Sequence, residues 1–305
     1  MKQALQLTRR EFLGTTACIA AIRSARPLSA FAGVDRPPRD SWQIGCYTRP
    51  WDQHDFRMAL DGIAEAGFKY AGIMTAKGKS WVIITPQTTP EEAAQVGEDV
   101  RSRGLSAVSV YGDFPATGSV EKGVENLRRL IDNCAACGSP NLMLGGTSDK
   151  DRYQAYYQAI AECCDYALGK GVGLSIKPHG GLNATGAQCR KALGLVSHKN
   201  FGLWYDPGNI YYYSEGALDP VEDAASVDGL VVGMSVKDYL PPKEVMVTPG
   251  TGKVRFPEVI ARLKQGGFTH GPLVVECLKR GTASEITAEA KKARQFLEEL
   301  IGQKY

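Results

Sequence analysis

From Ser41 onward, short apolar runs alternate with longer amphipathic ones, and no other feature of the chain restricts its fold so tightly. Eight runs read as buried strands: WQIGCYT from Trp42, YAGIMT from Tyr70, LSAVSVY from Leu105, NLMLGG from Asn141, VGLSIK from Val172, FGLWYD from Phe201, LVVGMSVKD from Leu230 and PLVVEC from Pro272. Helical stretches lie between them. In VEKGVENLRRLIDNCAACG, Val120, Val124, Leu127, Ile131 and Cys134 recur at steps of three and four, and Gly138 closes the end. YQAYYQAIAECCDYALGKG and the final ASEITAEAKKARQFLEELIG follow the same scheme. Eight alternations in roughly 270 residues fit an α/β chain forming one (β/α)8 barrel domain, for which ~250 residues are typical. A doubly wound open sheet is the other arrangement, but no Gly-rich phosphate fingerprint follows the first strand, so no nucleotide cofactor is expected.

In such a barrel the chemistry sits where strands end and βα loops begin. Those positions hold Tyr47 and Arg49; Thr75 and Lys77; Tyr111 and Asp113; Gly145 and Gly146; Lys177 and His179; Asp206 and Asn209; Ser235, Lys237 and Asp238; and Glu276. Polar residues concentrate on the later strands, while the fourth ends in glycines that leave room. GVGLSIKPHGG, residues 171–181, is a core strand that finishes on an ammonium and an imidazole. Lys177 has three readings: a buried cation between Asp206 and Glu276, an amine of lowered pKa serving as base or Schiff-base former, or a plain ion-pair partner in the barrel mouth. His179 follows Pro178 out of the strand and fits a ligand or acid/base role. Asn209, Lys237 and Asp238 are candidate substrate-binding residues, with a mutual Lys237–Asp238 pair as the plainer alternative. Glu276 ends an otherwise apolar strand, and a carboxylate buried there needs a partner.

LWYDPGNIYYY, VKDY, TPGTGKVRFPEVIARLKQGGFTHGPLVVE and the leading IGCYTRPW, in that order, resemble the sugar phosphate isomerase/epimerase family with the xylose-isomerase-like TIM barrel. The resemblance covers nearly all of residues 42–300. It implies one divalent metal (Mn, Zn, Mg or Co) held by a glutamate after strand five, an aspartate after strand six, a histidine after strand seven and a glutamate after strand eight. The aspartate falls on Asp206 and the last glutamate on Glu276, but Lys177 and Ser235 stand at the other two places. Divalent ions want anionic oxygen or neutral nitrogen donors, so the expected metal site becomes a displaced one of Asp206, Glu276 and His179, with Asp238 as a further donor.

The resemblance further implies a carbohydrate substrate and an isomerase or epimerase reaction on a sugar, keto-sugar or polyol derivative. A proton leaves the carbon next to a carbonyl and returns through an enediolate. Glu276 is then the first base, and His179 or Lys177 the second acid/base. Two alternatives are a non-catalytic sugar-binding barrel and a lyase on keto-sugar derivatives using Lys177. Clustered metal-binding histidines and a basic face are missing, which argues against a nuclease-like relative and against nucleic acid as a partner.

The N-terminus differs from the rest. TRREFLG, with Arg9 and Arg10 before a short apolar run from Phe12 to Ile22, resembles the twin-arginine export signal, and Ala30, Phe31 and Ala32 offer a small-x-small cleavage site. The expected organisation is therefore a signal peptide over residues 1–32 and a periplasmic barrel over residues 33–305, with no stable membrane span after cleavage. The leader's five basic residues and one acidic residue account for more than the whole +3 net charge, leaving the barrel near −1. Seven cysteines remain in the barrel, an odd number that argues against a full disulfide framework, and CAAC at Cys134–Cys137 reads as part of a helix.

Overall fold

The computed structural model describes residues 41–115 and 119–302. The expected signal peptide, residues 1–32, lies outside the described residues. The order of elements is β1 (Trp42–Tyr47), α1 (Phe56–Glu65), β2 (Tyr70–Ile73), α2 (Pro90–Arg101), β3 (Ser106–Gly112), α3 (Val120–Cys137), β4 (Asn141–Leu144) and α4 (Tyr153–Gly169). It continues with β5 (Gly173–Ile176), α5 (Gly186–Val196), β6 (Phe201–Tyr205), α6 (Pro207–Tyr213), α7 (Pro220–Ala224), β7 (Val231–Val236), α8 (Phe256–Gln265), β8 (Gly271–Val275) and α9 (Ala283–Ile301). The eight strands pair in chain order, all parallel, and β8 closes on β1 through Trp42↔Gly271 to Cys46↔Val275. This is the (β/α)8 TIM barrel expected from the alternation.

Two packed layers follow from the period of the strands. Outward-facing residues such as Ile44, Leu142, Leu174 and Leu203 join the apolar faces of the helices in one large core. Inward-facing Tyr47, Met74, Val108, Met143, Trp204 and Val274 fill the barrel itself. Tyr47 of β1 and Trp204 of β6 meet edge to face, with centroids 6.5 Å apart. Gly72 of β2 lies against the Tyr47 ring and Gly233 of β7 against the Trp204 ring, so the two largest interior side chains occupy volume that neighbouring strands leave free.

Local chemistry fixes where the helices begin and end. Thr89, Thr185 and Thr282 each form a capping box with Glu92, Gln188 and Glu285, at the starts of α2, α5 and α9. Gly138 ends α3 in the left-handed region, at φ +80°. Cys134 and Cys137 are buried on α3 with free thiols, so CAAC is helix packing, as its local pattern indicates. Among the described residues no helix is long and apolar enough to cross a membrane.

Candidate functional site

Four of the strands end one residue short of a charge. β5 stops at Ile176, β6 at Tyr205, β7 at Val236 and β8 at Val275, so Lys177, Asp206, Lys237 and Glu276 are each the first residue beyond their strand. At that point a side chain is aimed over the carboxyl end of the barrel while its backbone is still held by the sheet. The four charges interlock. Lys177 Nζ lies 2.6 Å from Glu276 Oε2 and 2.8 Å from Asp206 Oδ2. Lys237 Nζ lies 2.6 Å from Glu276 Oε1 and 3.0 Å from Asp206 Oδ2. Each ammonium therefore bridges both carboxylates, and none of the four side chains is more than 2% exposed.

Neutral donors and a third cation complete the cluster. Ser235 donates its hydroxyl to Glu276 Oε2 at 2.6 Å. Arg49 Nη1 donates to Glu276 Oε1 at 3.0 Å and is the one cation of the three with an appreciable exposed part, 23%. Asn209 accepts from Lys237 Nζ at 2.9 Å and donates to the Pro178 carbonyl at 2.6 Å, while its backbone N–H caps onto Asp206 Oδ1. Burying four charges and part of a fifth is tolerable only with such mutual satisfaction. Three cations against two carboxylates leave the cluster with one net positive charge.

The protonation states follow. Burial alone would raise Glu276, but Lys177, Lys237 and Arg49 outweigh it and hold this carboxyl well below its ordinary range. Burial alone would lower Lys177, yet Asp206 and Glu276 outweigh it and keep the ammonium more strongly charged than usual. Two expectations change as a result. Glu276 is too poor a proton acceptor to be the first base, and Lys177 is not the low-pKa amine that a Schiff-base lyase or a lysine base requires. Lys177 is a buried cation between two carboxylates, the first of its three readings.

The metal expectation changes as well. Among the described residues no three His, Cys, Asp or Glu side chains are grouped as ligands, so His179 does not join Asp206 and Glu276 in a displaced site. The carboxylate oxygens that a divalent ion would use already face two ammonium groups, and the remaining partners are a hydroxyl and a guanidinium. This donor set does not fit a Mn, Zn, Mg or Co ion.

His179 and Asp238 stand apart from that cluster. The His179 ring is half-buried between Tyr111 and Tyr213, with centroids at 6.1 and 5.9 Å. Burial, then Lys177 and Lys237, push its imidazole down to about 4, so it is neutral at neutral pH. Asp238 is spent on backbone: it accepts from the N–H groups of Tyr239, Gly250, Gly252 and Val254 at 2.8 to 3.0 Å. It shapes the loop before α8 and is unavailable as a metal donor or a substrate-binding group, while Lys237 pairs with Asp206 and Glu276 rather than with Asp238.

Sequence reasoning gave no role to Arg49 or Asp113, although both stand among the polar residues at strand ends. Asp113 follows β3, accepts from the Phe114 N–H at 2.8 Å and the Tyr156 hydroxyl at 2.9 Å, and is raised by burial to about 7. Position was the only signal available for it.

Comparison with known proteins shows what the fold is similar to. The structure superposes on D-psicose 3-epimerase in the presence of D-fructose with a TM-score of 0.69 and 14% identity, over 85% of this chain and 99% of that one. A xylose isomerase domain protein from Planctomyces limnophilus aligns with a TM-score of 0.66 and 17% identity, covering 85% and 97%. D-Allulose 3-epimerase from Methylomonas sp. in complex with D-allulose aligns with a TM-score of 0.65 and 19% identity, covering 85% and 97%. At these identities the likeness is one of fold. No curated protein sequence matches the chain. The sequence model of one family matches residues 60–300, most of the barrel, and by that match the chain belongs to the xylose isomerase-like TIM barrel family.

Proposed function

We propose that this barrel is a carbohydrate isomerase or epimerase that moves a proton next to a carbonyl without a divalent ion in the cluster described above. The observation that carries the reading is the set of buried Lys177, Lys237, Asp206 and Glu276 with the partly exposed Arg49, net positive and fixed at the carboxyl end of the barrel. The likeness in fold to D-psicose and D-allulose 3-epimerases supports a keto sugar as substrate class.

The chemistry asks for two things. A proton must leave a carbon beside the carbonyl, and the electron pair it leaves behind, shifted onto the carbonyl oxygen, must be stabilised. Neutral His179, half-buried at the rim, is the group able to take the proton. Arg49 is the exposed edge of the cation cluster and faces an oxyanion directly, while the buried ammonium groups of Lys177 and Lys237 act through their field in a medium of low dielectric. Return of the proton from the His179 imidazolium to the former carbonyl carbon, as the hydroxyl proton of the enediolate passes from one oxygen to the other, completes an isomerisation. Asn209 holds Lys237 in place and so supports the cluster rather than the sugar.

The test is solvent exchange. Incubation of the protein with D-fructose, D-tagatose or D-xylulose in D2O should introduce deuterium next to the carbonyl, read by proton NMR, and Arg49→Met and His179→Gln should each slow it about 100-fold. A second reading has its own observation: every oxygen of Glu276 is already paired, as in a site kept only for binding. That reading predicts saturable sugar binding with no deuterium incorporated.

A further inference from the structure

A cleft of about 530 Å³ opens between the segment that follows α6 and the loop from β7 to α8, and none of the residues lining it belongs to the cation cluster. Its volume falls within the roughly 300–1,000 Å³ typical of small-ligand sites. Glu215 and Gly216 stand on one side, Tyr239, Pro241, Pro242 and Lys243 on the other, and Lys253 enters from further along the same loop. Backbone contacts fix both walls. Leu240 and Glu244 exchange two hydrogen bonds at 2.8 Å, which close a short hairpin with Pro241, Pro242 and Lys243 at its tip, and the Tyr239 hydroxyl donates to the Pro242 carbonyl at 2.6 Å. Opposite, the Gly216 N–H donates to the Tyr211 carbonyl at 2.8 Å and the Ala217 N–H to the Ser214 carbonyl at 3.0 Å. Glu215 in that turn takes φ +55°, a left-handed conformation that a residue with a side chain adopts at a cost, and its carboxylate lies 3.4 Å from Lys243 Nζ. Lys253 is the unmatched charge. Its N–H donates to the Tyr239 carbonyl at 2.8 Å, and its Nζ lies 4.6 Å from the centre of the Tyr211 ring, which stacks on Tyr239. No carboxylate among the described residues pairs with it. Two ammonium groups against one carboxylate leave the lining with one net positive charge.

We infer that this cleft is a binding site for a sugar acid, a mono- or disaccharide bearing one carboxylate. Lys253 takes the carboxylate, because its ammonium has donors to spare and no acid of the protein to neutralise it. Glu215 and Lys243 serve the ring hydroxyls as acceptor and donor, both being largely exposed and paired only at 3.4 Å. Pro241 and Pro242 offer an apolar face to the C–H side of a sugar ring, and the Tyr239 hydroxyl, whose proton is spent on Pro242, can still accept. A bare phosphate ion fits the lining poorly: Glu215 repels it and the cleft far exceeds its size. A ligand with hydroxyls and a single negative charge uses every group present. Because both walls are held by backbone bonds, binding orders little that is not already ordered. The cleft also shares its supports with the cluster, since α6 carries Asn209, which accepts from Lys237, and the loop from β7 begins at Lys237 itself. Sugar-acid binding here is nevertheless independent of any turnover at the cluster.

Methyl β-D-glucuronide is the probe, because its blocked anomeric carbon prevents isomerisation at the cluster. Its binding, and that of neutral methyl β-D-glucoside, is titrated by saturation-transfer NMR at constant ionic strength, with inorganic phosphate as competitor. Wild type, Lys253→Met and Glu215→Ala are compared after a check that their circular dichroism spectra agree. The glucuronide should bind wild type with a Kd of about 1 mM, ordinary for a ligand of that size, and the glucoside about tenfold more weakly. Lys253→Met should reduce the glucuronide to the level of the glucoside, as for loss of one charged hydrogen bond. Glu215→Ala should weaken the glucoside, which loses an acceptor, while making phosphate a better competitor. Deuterium exchange into D-fructose should be the same in Lys253→Met as in wild type, so absence of exchange in every protein sinks the isomerase reading alone. Glucuronide binding that does not saturate, or that is unchanged in Lys253→Met, overturns the site. Displacement of the glucuronide by an equal concentration of phosphate overturns the sugar-acid assignment and leaves only a surface charge.

Discussion

At the scale of single residues, the mouth of this barrel is governed by which charges are compensated and which are not. Lys237 contacts both buried carboxylates, so Lys237→Met leaves Asp206 and Glu276 with one bridging cation fewer and should cost ~3–5 kcal/mol, the usual penalty for breaking a buried pair. Urea unfolding of the variant checks this, and adding Asp206→Asn to it should recover part of the loss by removing the stranded charge. Asp113 obeys the opposite sign. Burial raises its carboxyl to about 7 in the folded protein, above the unfolded value of about 4. The stability it contributes is therefore fully present below pH 4 and is lost as pH rises through 7. Asp113→Asn keeps the same shape without the charge, so it should match wild type in denaturation below pH 4 and exceed it at pH 8. The sequence shows Lys177, Asp206, Lys237 and Glu276 as polar residues at strand ends. It does not show that each ammonium would touch both carboxylates, because those contacts join residues up to 99 positions apart.

At the scale of elements, the strands and helices were legible because each is marked by its own neighbours. Apolar runs bounded by turn residues became the eight strands, and threonine followed three residues later by Glu or Gln marks three helix starts. Thr282→Ala should thus cost ~1 kcal/mol through the lost cap of α9, measurable as a shift in the urea midpoint. The strand ends were less legible. LVVGMSVKD and PLVVEC read as continuous strands, yet β7 stops before Lys237 and β8 before Glu276, where the backbone leaves the ladder to form the mouth. Interior packing was hidden altogether. Gly72 looks like an interruption of a strand, but it makes room for the Tyr47 ring, and Gly72→Ala should destabilise by ~1–3 kcal/mol, as overpacking does. Reducing that ring with Tyr47→Leu in the same chain should restore part of the loss, again read by urea unfolding.

At the scale of the whole molecule, the barrel stands on internal ion pairing where the family resemblance led to a metal. If the two ammonium groups hold Asp206 and Glu276 together, dialysis against a chelator should leave the unfolding temperature unchanged, and added Mn2+ should not raise it. One equivalent of tightly bound metal by elemental analysis would overturn this account of the cluster. The expected leader has a test of its own: N-terminal sequencing of protein recovered from the producing cell's periplasm should begin at Gly33, and Arg9→Lys with Arg10→Lys should keep the chain in the cytoplasm. Fold class was determined by the sequence alone, because burial and strand period are local properties that each segment carries with it and eight repetitions admit few closures. The replacement of Glu and His ligands by Lys177 and Ser235 was likewise visible from the sequence. Only the tertiary structure decided what those replacements do. The protonation of Lys177 and Glu276, the diversion of Asp238 to four backbone amides and the convergence of Tyr111, Asp113 and His179 on Gly145 depend on distances between separate strand ends. Electrostatic energies vary steeply with those distances and with burial, and neither quantity exists until the barrel has closed.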